Sequence, residues 1–384
     1  MITRDIAYIG VDDTDLDLFE SQYIIPNGIS YNSYLIKDEK IAIMDTADNR
    51  KIDEWLGNLR TALDGRTPDY LVVQHMEPDH AGCIAEILEE YPAIKIVASA
   101  RAIQMLPQFF EGKDFSQNAI AVKEGDTLCL GEHTLQFFMA PMVHWPEVMV
   151  TYDKKDKVVF SADGFGKFGA LSHEEDWACE ARRYYFNICG KYGGPVQALL
   201  KKLATLDVEC ICPLHGPILK ENLGYYIGLY DTWSKYDVET EGVFIAYASI
   251  HGGTAAVANV MAEILREKGA KKVSVADLSR DDMAEAIEDA FRMDKMIVAA
   301  ASYDGGVFPV MHDFLHHLQI KAYQKRRVGI IENGSWAPCA GRVMRGMLEQ
   351  MKDVEIVEPM VTILSRMKQS DRAALEALAD AILK

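Results

Sequence analysis

No run of 18 apolar residues, the length a membrane helix needs, occurs in this chain. Its first residues, Met1-Ile2-Thr3-Arg4-Asp5, show no apolar signal region before Asp12, Asp13, Asp15 and Asp17. A cytoplasmic protein with no membrane partner is therefore expected. The seven cysteines are scattered without a CxxC pair, which argues against a disulfide framework and against a cysteine-only metal site. Positive charge is short as well: 40 Lys and Arg face 58 Asp and Glu, a net charge of −18. A nucleic-acid partner would want a basic face, so none is expected. The C-terminal half has neither GxGxxG nor a GxxxxGKS or GxxxxGKT loop, which disfavours a dinucleotide or nucleoside-triphosphate fold there.

What the chain does have is His75-Met76-Glu77-Pro78-Asp79-His80. Two imidazoles and two carboxylates stand between the apolar run Leu71-Val72-Val73 and the helical pattern Ile84, Ile87, Leu88. A strand that ends in a loop and turns into a helix puts its loop side chains at the carboxyl edge of a sheet, where α/β proteins build sites. The bland alternative is a helix cap by Asp79 with surface histidines. Three further candidates, His144, Asp163 and His215, each follow or close a strand-like stretch: 135–139, 158–162 and 208–212. Alone, each is a satisfied polar group or turn chemistry. Together they make four histidines and three carboxylates, enough for two metal ions sharing one carboxylate.

At 384 residues, two domains are the default. The first part reads as strands at 31–36 and 41–45, a helix at 50–62, the metal loop, a strand at 94–98 and a helix at 101–110. Strand pairs at 119–139 and 148–162 follow, then one helical segment from about 173 to 205. That order suits two mixed sheets packed face to face with helices outside. The apolar pattern is interrupted between Tyr230 and Gly242, which places the domains at 1–240 and 241–384. Beyond that point five strands (243–248, 273–276, 296–301, 328–332, 354–357) alternate with five helices, the signature of a doubly wound parallel sheet of flavodoxin size.

Three loops at the carboxyl ends of those strands are candidates for a bound flavin. Ser249, His251, Gly252, Gly253 and Thr254 offer hydroxyls, amides and a helix N-terminus to a phosphate. Ser302, Tyr303, Asp304, Gly305 and Gly306 form the second loop, and Asn333, Gly334, Ser335 and Trp336 the third. Tyr303 and Trp336 could flank a flat ring; the bland alternative is that both are core aromatics.

The combination resembles one family. The first half is similar to a metallo-β-lactamase domain, and the whole chain resembles the flavodiiron proteins. The zinc hydrolases of the superfamily read His-x-His-x-Asp-His; here Glu77 takes the second histidine's place. His144-Trp145-Pro146-Glu147, the stretch 160–166, Tyr184-Tyr185-Phe186-Asn187-Ile188 and Pro213-Leu214-His215-Gly216-Pro217 follow in family order. The resemblance implies an αββα sandwich fused to a flavodoxin-like domain, with FMN and two non-haem irons. His75, Glu77 and His144 would hold one iron, and Asp79, His80 and His215 the other. Asp163 would bridge them. Lys167-Phe168 stands where Gln-His is more usual, which bears on the pocket wall and so on the gas substrate. His144, Trp145 and Tyr31 are candidates to line that pocket.

An anionic oxygen ligand in place of an imidazole hardens the site and suits iron that cycles to the ferric state. Zinc there could serve hydrolysis only. The expected activity is reduction of dioxygen to water, of nitric oxide to nitrous oxide, or of both. The resemblance also implies a head-to-tail homodimer or a dimer of dimers, fed by a separate donor such as a rubredoxin or a reduced deazaflavin. Two other readings are a dizinc hydrolase joined to a flavodoxin-like module, and an electron carrier docked on a degenerate site.

Overall fold

The structure, a computed structural model, describes residues 2–384. The chain divides into two compact units. One comprises Met1–Tyr185 and Gly194–Asp231, the other Phe186–Gly193 and Thr232–Lys384.

The first unit holds a six-stranded mixed sheet, in the spatial order Ile6–Tyr8, Tyr34–Lys37, Ile41–Met44, Tyr70–Val73, Lys95–Ser99, Ala119–Val122. A five-stranded sheet faces it, built in sequence order from Thr127–Cys129, Thr134–Met139, Met149–Asp153, Val158–Phe160 and Cys210–Cys212. Ile36, Val72 and Val97 of the first sheet share one core with Phe137, Met149, Phe160 and Cys212 of the second. This is the expected sandwich, and the alternation along each strand explains it: every second residue faces the other sheet. No helix among the described residues is long and apolar enough to cross a membrane.

Three local expectations are corrected. The run 31–36 is not one strand. Ile29–Tyr31 pairs with Val11–Asp13 in a separate ribbon, and Tyr34–Lys37 joins the large sheet. The break falls at Asn32-Ser33, because those side chains bond to other loops: Asn32 Nδ2 donates to the carbonyls of Pro213 and Gly216, both at 2.8 Å, and Ser33 Oγ to that of Asp45 at 2.8 Å. The helical segment 173–205 is two helices, Trp177–Tyr184 and Gly193–Leu203, separated by a π turn at Tyr185–Cys189 and a 3₁₀ turn at Gly190–Tyr192. Three glycines, at 190, 193 and 194, weaken the helix there. Asp231-Thr232-Trp233-Ser234 closes a helix, Leu223–Ser234, that the pattern did not reveal.

In the second unit the strands Val273–Asp277, Thr240–Ala248, Met293–Tyr303, Arg327–Asn333 and Glu355–Ile363 lie in that spatial order, all parallel. This is the flavodoxin order 2-1-3-4-5. Ile245, Ile297 and Ile331 pack against Val257, Met261 and Leu378 of two helices. Phe244, Val298 and Ile330, pointing the other way, are equally buried. Both faces are therefore covered, as a parallel sheet requires.

Candidate functional site

Each metal-ligand candidate sits just past a strand. His75 follows Tyr70–Val73, and Asp79 and His80 lie on the short helix Pro78–Ala81. Val158–Phe160 and Cys210–Cys212 are parallel neighbours with Phe160 opposite Cys212. Asp163 and His215 each come three residues later, so strand register alone delivers them side by side. Ala162, with φ of 50°, holds left-handed backbone at the mouth of the Asp163 loop, and so does Asp45, at 55°, at the end of the neighbouring strand Ile41–Met44. Such strain costs roughly 1–3 kcal/mol per residue and gathers at functional sites.

All seven candidates meet, in two groups. In each group the potential ligand atoms lie within 4.8 Å of one another: His75, Glu77, His144 and Asp163 in one, Asp79, His80 and His215 in the other. His144 Nε2 is 3.1 Å from Glu77 Oε2 and 3.0 Å from Asp163 Oδ2; His75 Nε2 is 3.2 Å and 3.4 Å from the same two oxygens. His80 Nε2 lies 3.1 Å from Asp163 Oδ1 and 3.3 Å from Asp79 Oδ2, and His215 Nε2 lies 3.3 Å from that Asp79 oxygen. The Asp163 carboxylate thus turns Oδ2 to the first group and Oδ1 to the second.

Both oxygens of Asp79, Nε2 of His80 and His215, and Oδ1 of Asp163 are buried without a hydrogen-bond partner. Leaving a buried polar atom unpaired is expensive, roughly 1–3 kcal/mol each. Ligand atoms bound to one metal at about 2.0–2.2 Å stand close to 3 Å apart, so cations in the two groups would satisfy them all. The electrostatics agree. Burial alone would raise the Asp163 carboxyl, but His75 and His80 outweigh it and hold it well below the ordinary range. Burial works against a charged His144, yet Asp163 and Glu77 lift it to about 9. A pocket that must draw protons onto its histidines to balance its carboxylates is one built for positive ions.

Sequence reasoning missed the groups that aim these ligands. Glu147 Oε1 sits 2.8 Å from His75 Nδ1 and accepts the Met76 N–H at 2.9 Å. The Ser30 carbonyl accepts from His215 Nδ1 at 2.7 Å. Asp45, pushed by burial to about 6, takes both the backbone and the side-chain amide of Gln74 at 2.7 and 2.9 Å. Such outer partners fix the ring orientation of metal-binding histidines. Phe19 and Tyr184 pack on His215, with ring centroids 5.4 and 5.6 Å away, and Trp145 on His75 at 5.2 Å. Tyr31 lies farther off, 6.3 Å from His215. Lys167 is buried, its Nζ donating to the Phe168 carbonyl at 2.9 Å, and Phe168 packs between Phe19 and Tyr184.

In the second unit the three flavin-loop candidates line one cavity of about 660 Å³. Ser249, His251, Gly253, Thr254, Ser302, Tyr303, Asp304, Gly305, Asn333, Gly334, Ser335 and Trp336 reach it. Gly252 and Gly306 stand just behind: Gly252 caps the helix Gly253–Glu267 at φ 83°, and Gly306 pairs with Tyr303. A side chain at Gly253 would strike the Ser365 carbonyl at 2.5 Å, so that backbone approach needs glycine. Ser365 and Arg366 also line the cavity and carried no signal in the sequence. Tyr303 and Trp336 are 45% and 91% exposed, which rules out the core reading for both. Size, a helix N-terminus and rim aromatics fit a flavin phosphate and ring.

A metal-binding β-lactamase-like fold with two ligand groups, beside a flavodoxin-like fold with an open cavity, defines a two-cofactor redox protein rather than a hydrolase. Residues 29–216 match the family model described as ODP family beta lactamase. An uncharacterised protein of Methanocaldococcus jannaschii is 30% identical over 91% of this chain and 89% of its own. The anaerobic nitric oxide reductase flavorubredoxin of Escherichia coli is 28% identical over 88% of this chain and 72% of its own. A putative diflavin flavoprotein of Synechocystis, 30% identical, is longer, and the chain spans 64% of it. Among solved structures, rubredoxin oxygen:oxidoreductase from Desulfovibrio gigas superposes with a TM-score of 0.93 at 26% identity, covering 100% of this chain and 97% of that one. The chain belongs to the flavodiiron protein family. It is an oxidoreductase whose cofactors are FMN and a non-haem diiron centre.

Proposed function

We propose that this chain reduces dioxygen to water, nitric oxide to nitrous oxide, or both, at an iron pair held by the two ligand groups. In this assignment His75, Glu77 and His144 hold one iron, Asp79, His80 and His215 the other, and Asp163 bridges. The observation that carries it is the split of Asp163, one carboxylate oxygen to each group. When bound, the irons would supply one-electron chemistry toward the gas and FMN the exchange between two-electron and one-electron carriers. The chain's own part is positioning. Glu147 and the Ser30 carbonyl lock the first and the last of the ligand histidines, His75 and His215. Phe19, Tyr184 and Trp145 keep water off the site. The loops 249–254, 302–306 and 333–336 hold the flavin.

Dioxygen would need four electrons and four protons to give two waters; two nitric oxides would need two of each to give nitrous oxide and water. The E. coli relative is named for nitric oxide and the D. gigas structure for oxygen, with rubredoxin in both names. A rubredoxin or a reduced deazaflavin as separate donor, and a head-to-tail homodimer or dimer of dimers, complete the reading. Two irons and one FMN per chain, with turnover on at least one gas from a pre-reduced donor, is the expected result. Two zincs and no yellow colour would instead revive the hydrolase.

A further inference from the structure

Away from the ligand loops, the first unit carries another cluster. The hairpin of Thr134–Met139 and Met149–Asp153 reaches the iron pocket through its connection, which bears His144. At its other end stand His133 and Asp153, both fully buried, and Asp156 on the next turn. Their ligand atoms lie within 4.8 Å of one another. His133 Nδ1 is 3.0 Å from Asp153 Oδ2, and its Nε2 is 3.4 Å from Asp5 Oδ2. Asp153 Oδ2 also accepts the Asp156 N–H at 3.0 Å. Asp153 Oδ1 is buried with no partner. Glu132 and Asp5 share Lys155, at 2.7 Å each, and the His133 N–H goes to Asp38 Oδ2 at 2.6 Å.

A protonated His133 would satisfy the Oδ2 atoms of Asp153 and Asp5 but leave Asp153 Oδ1 unpaired in a carboxylate-rich pocket. A cation does what the proton cannot. We propose that His133, Asp153 and Asp156 form a third metal site, for a single divalent transition ion of the zinc class, that ties together the turns at 131–133 and 153–156. One imidazole with two carboxylates and a water completes a four-coordinate shell. The imidazole selects against calcium and magnesium, which prefer all-oxygen shells. Asp5, behind Nε2 and held by Lys155, is placed as the outer carboxylate that orients a metal-bound histidine.

The test uses the full chain with iron and FMN loaded, dialysed against excess Zn²⁺, desalted and analysed for metals. The expected result is one zinc in addition to undiminished iron, with the thermal midpoint raised by roughly 2–4 °C. His133→Asn and Asp156→Asn should each lose both effects. Asp156 lies on a half-exposed turn, so its variant keeps the test alive if the His133 variant does not fold. No zinc beyond the iron, zinc that replaces iron one for one, or a zinc count unchanged in Asp156→Asn would each overturn the proposal.

Discussion

The iron pocket and the flavin cavity are built on opposite plans. Six of the seven iron-ligand candidates are buried, and the loops bearing them are tied down by buried polar groups from distant segments. The flavin cavity is open, carried on loops at one sheet edge, and rimmed by a tryptophan that is 91% exposed. The first site is part of its sandwich's core; the second is an attachment to a core that stands without it. Substitutions in the first should therefore cost metal, activity and stability together, while those in the second should cost cofactor affinity alone.

The largest expected effect comes from Asp163→Ala. Both groups lose their shared carboxylate, so iron and gas reduction should vanish while FMN, read from its visible spectrum, stays at one per chain. Parallel loss of flavin would break the comparison. Acid should separate the sites next. Protons compete with iron for the imidazoles, and in the empty site Asp163 and Glu77 keep a proton on His144 up to about 9, so iron affinity should fall steadily as pH is stepped down from there while flavin is retained. Dialysis at stepped pH with metal analysis checks this. Glu147→Gln, which removes the anionic partner of His75 Nδ1, should weaken iron binding by roughly 10–100-fold in a chelator competition. Asn32→Ala touches no iron. It takes the side-chain donor from the buried Gly216 carbonyl and leaves the Pro213 carbonyl to the Tyr34 hydroxyl alone, and should lower stability by about 1–3 kcal/mol in urea unfolding. Trp336→Ala should be smallest, within about 0.5 kcal/mol in stability, with only flavin affinity reduced. A large stability loss there would mean that the flavin loops belong to the core after all.

The two sites were also unequally legible. In the second unit the alternation of strand and helix places three flavin loops in order along the chain; Ala337 and Cys339, just past Trp336, escaped, and so did Ser365 and Arg366, whose loop carries no glycine or aromatic signal. In the first unit the ligand residues stood out by type, but Glu147 and the Ser30 carbonyl did not. They lie 72 and 185 positions from the histidines they hold. Asn32 looked like the middle of a strand because its neighbours are strand formers. Its role depends on two carbonyls some 180 residues away.

Local chemistry, then, settled which residue types and which elements this protein has: side-chain periodicity and ligand-forming side chains are properties of neighbouring residues. The division of one carboxylate between two groups, the partners that aim the imidazoles, and the buried cluster at His133 were decided only when strands from separate stretches fell into register. Hydrogen-bond and metal geometry depend on distances of about 3 Å or less, and no pattern along a chain encodes distances across it.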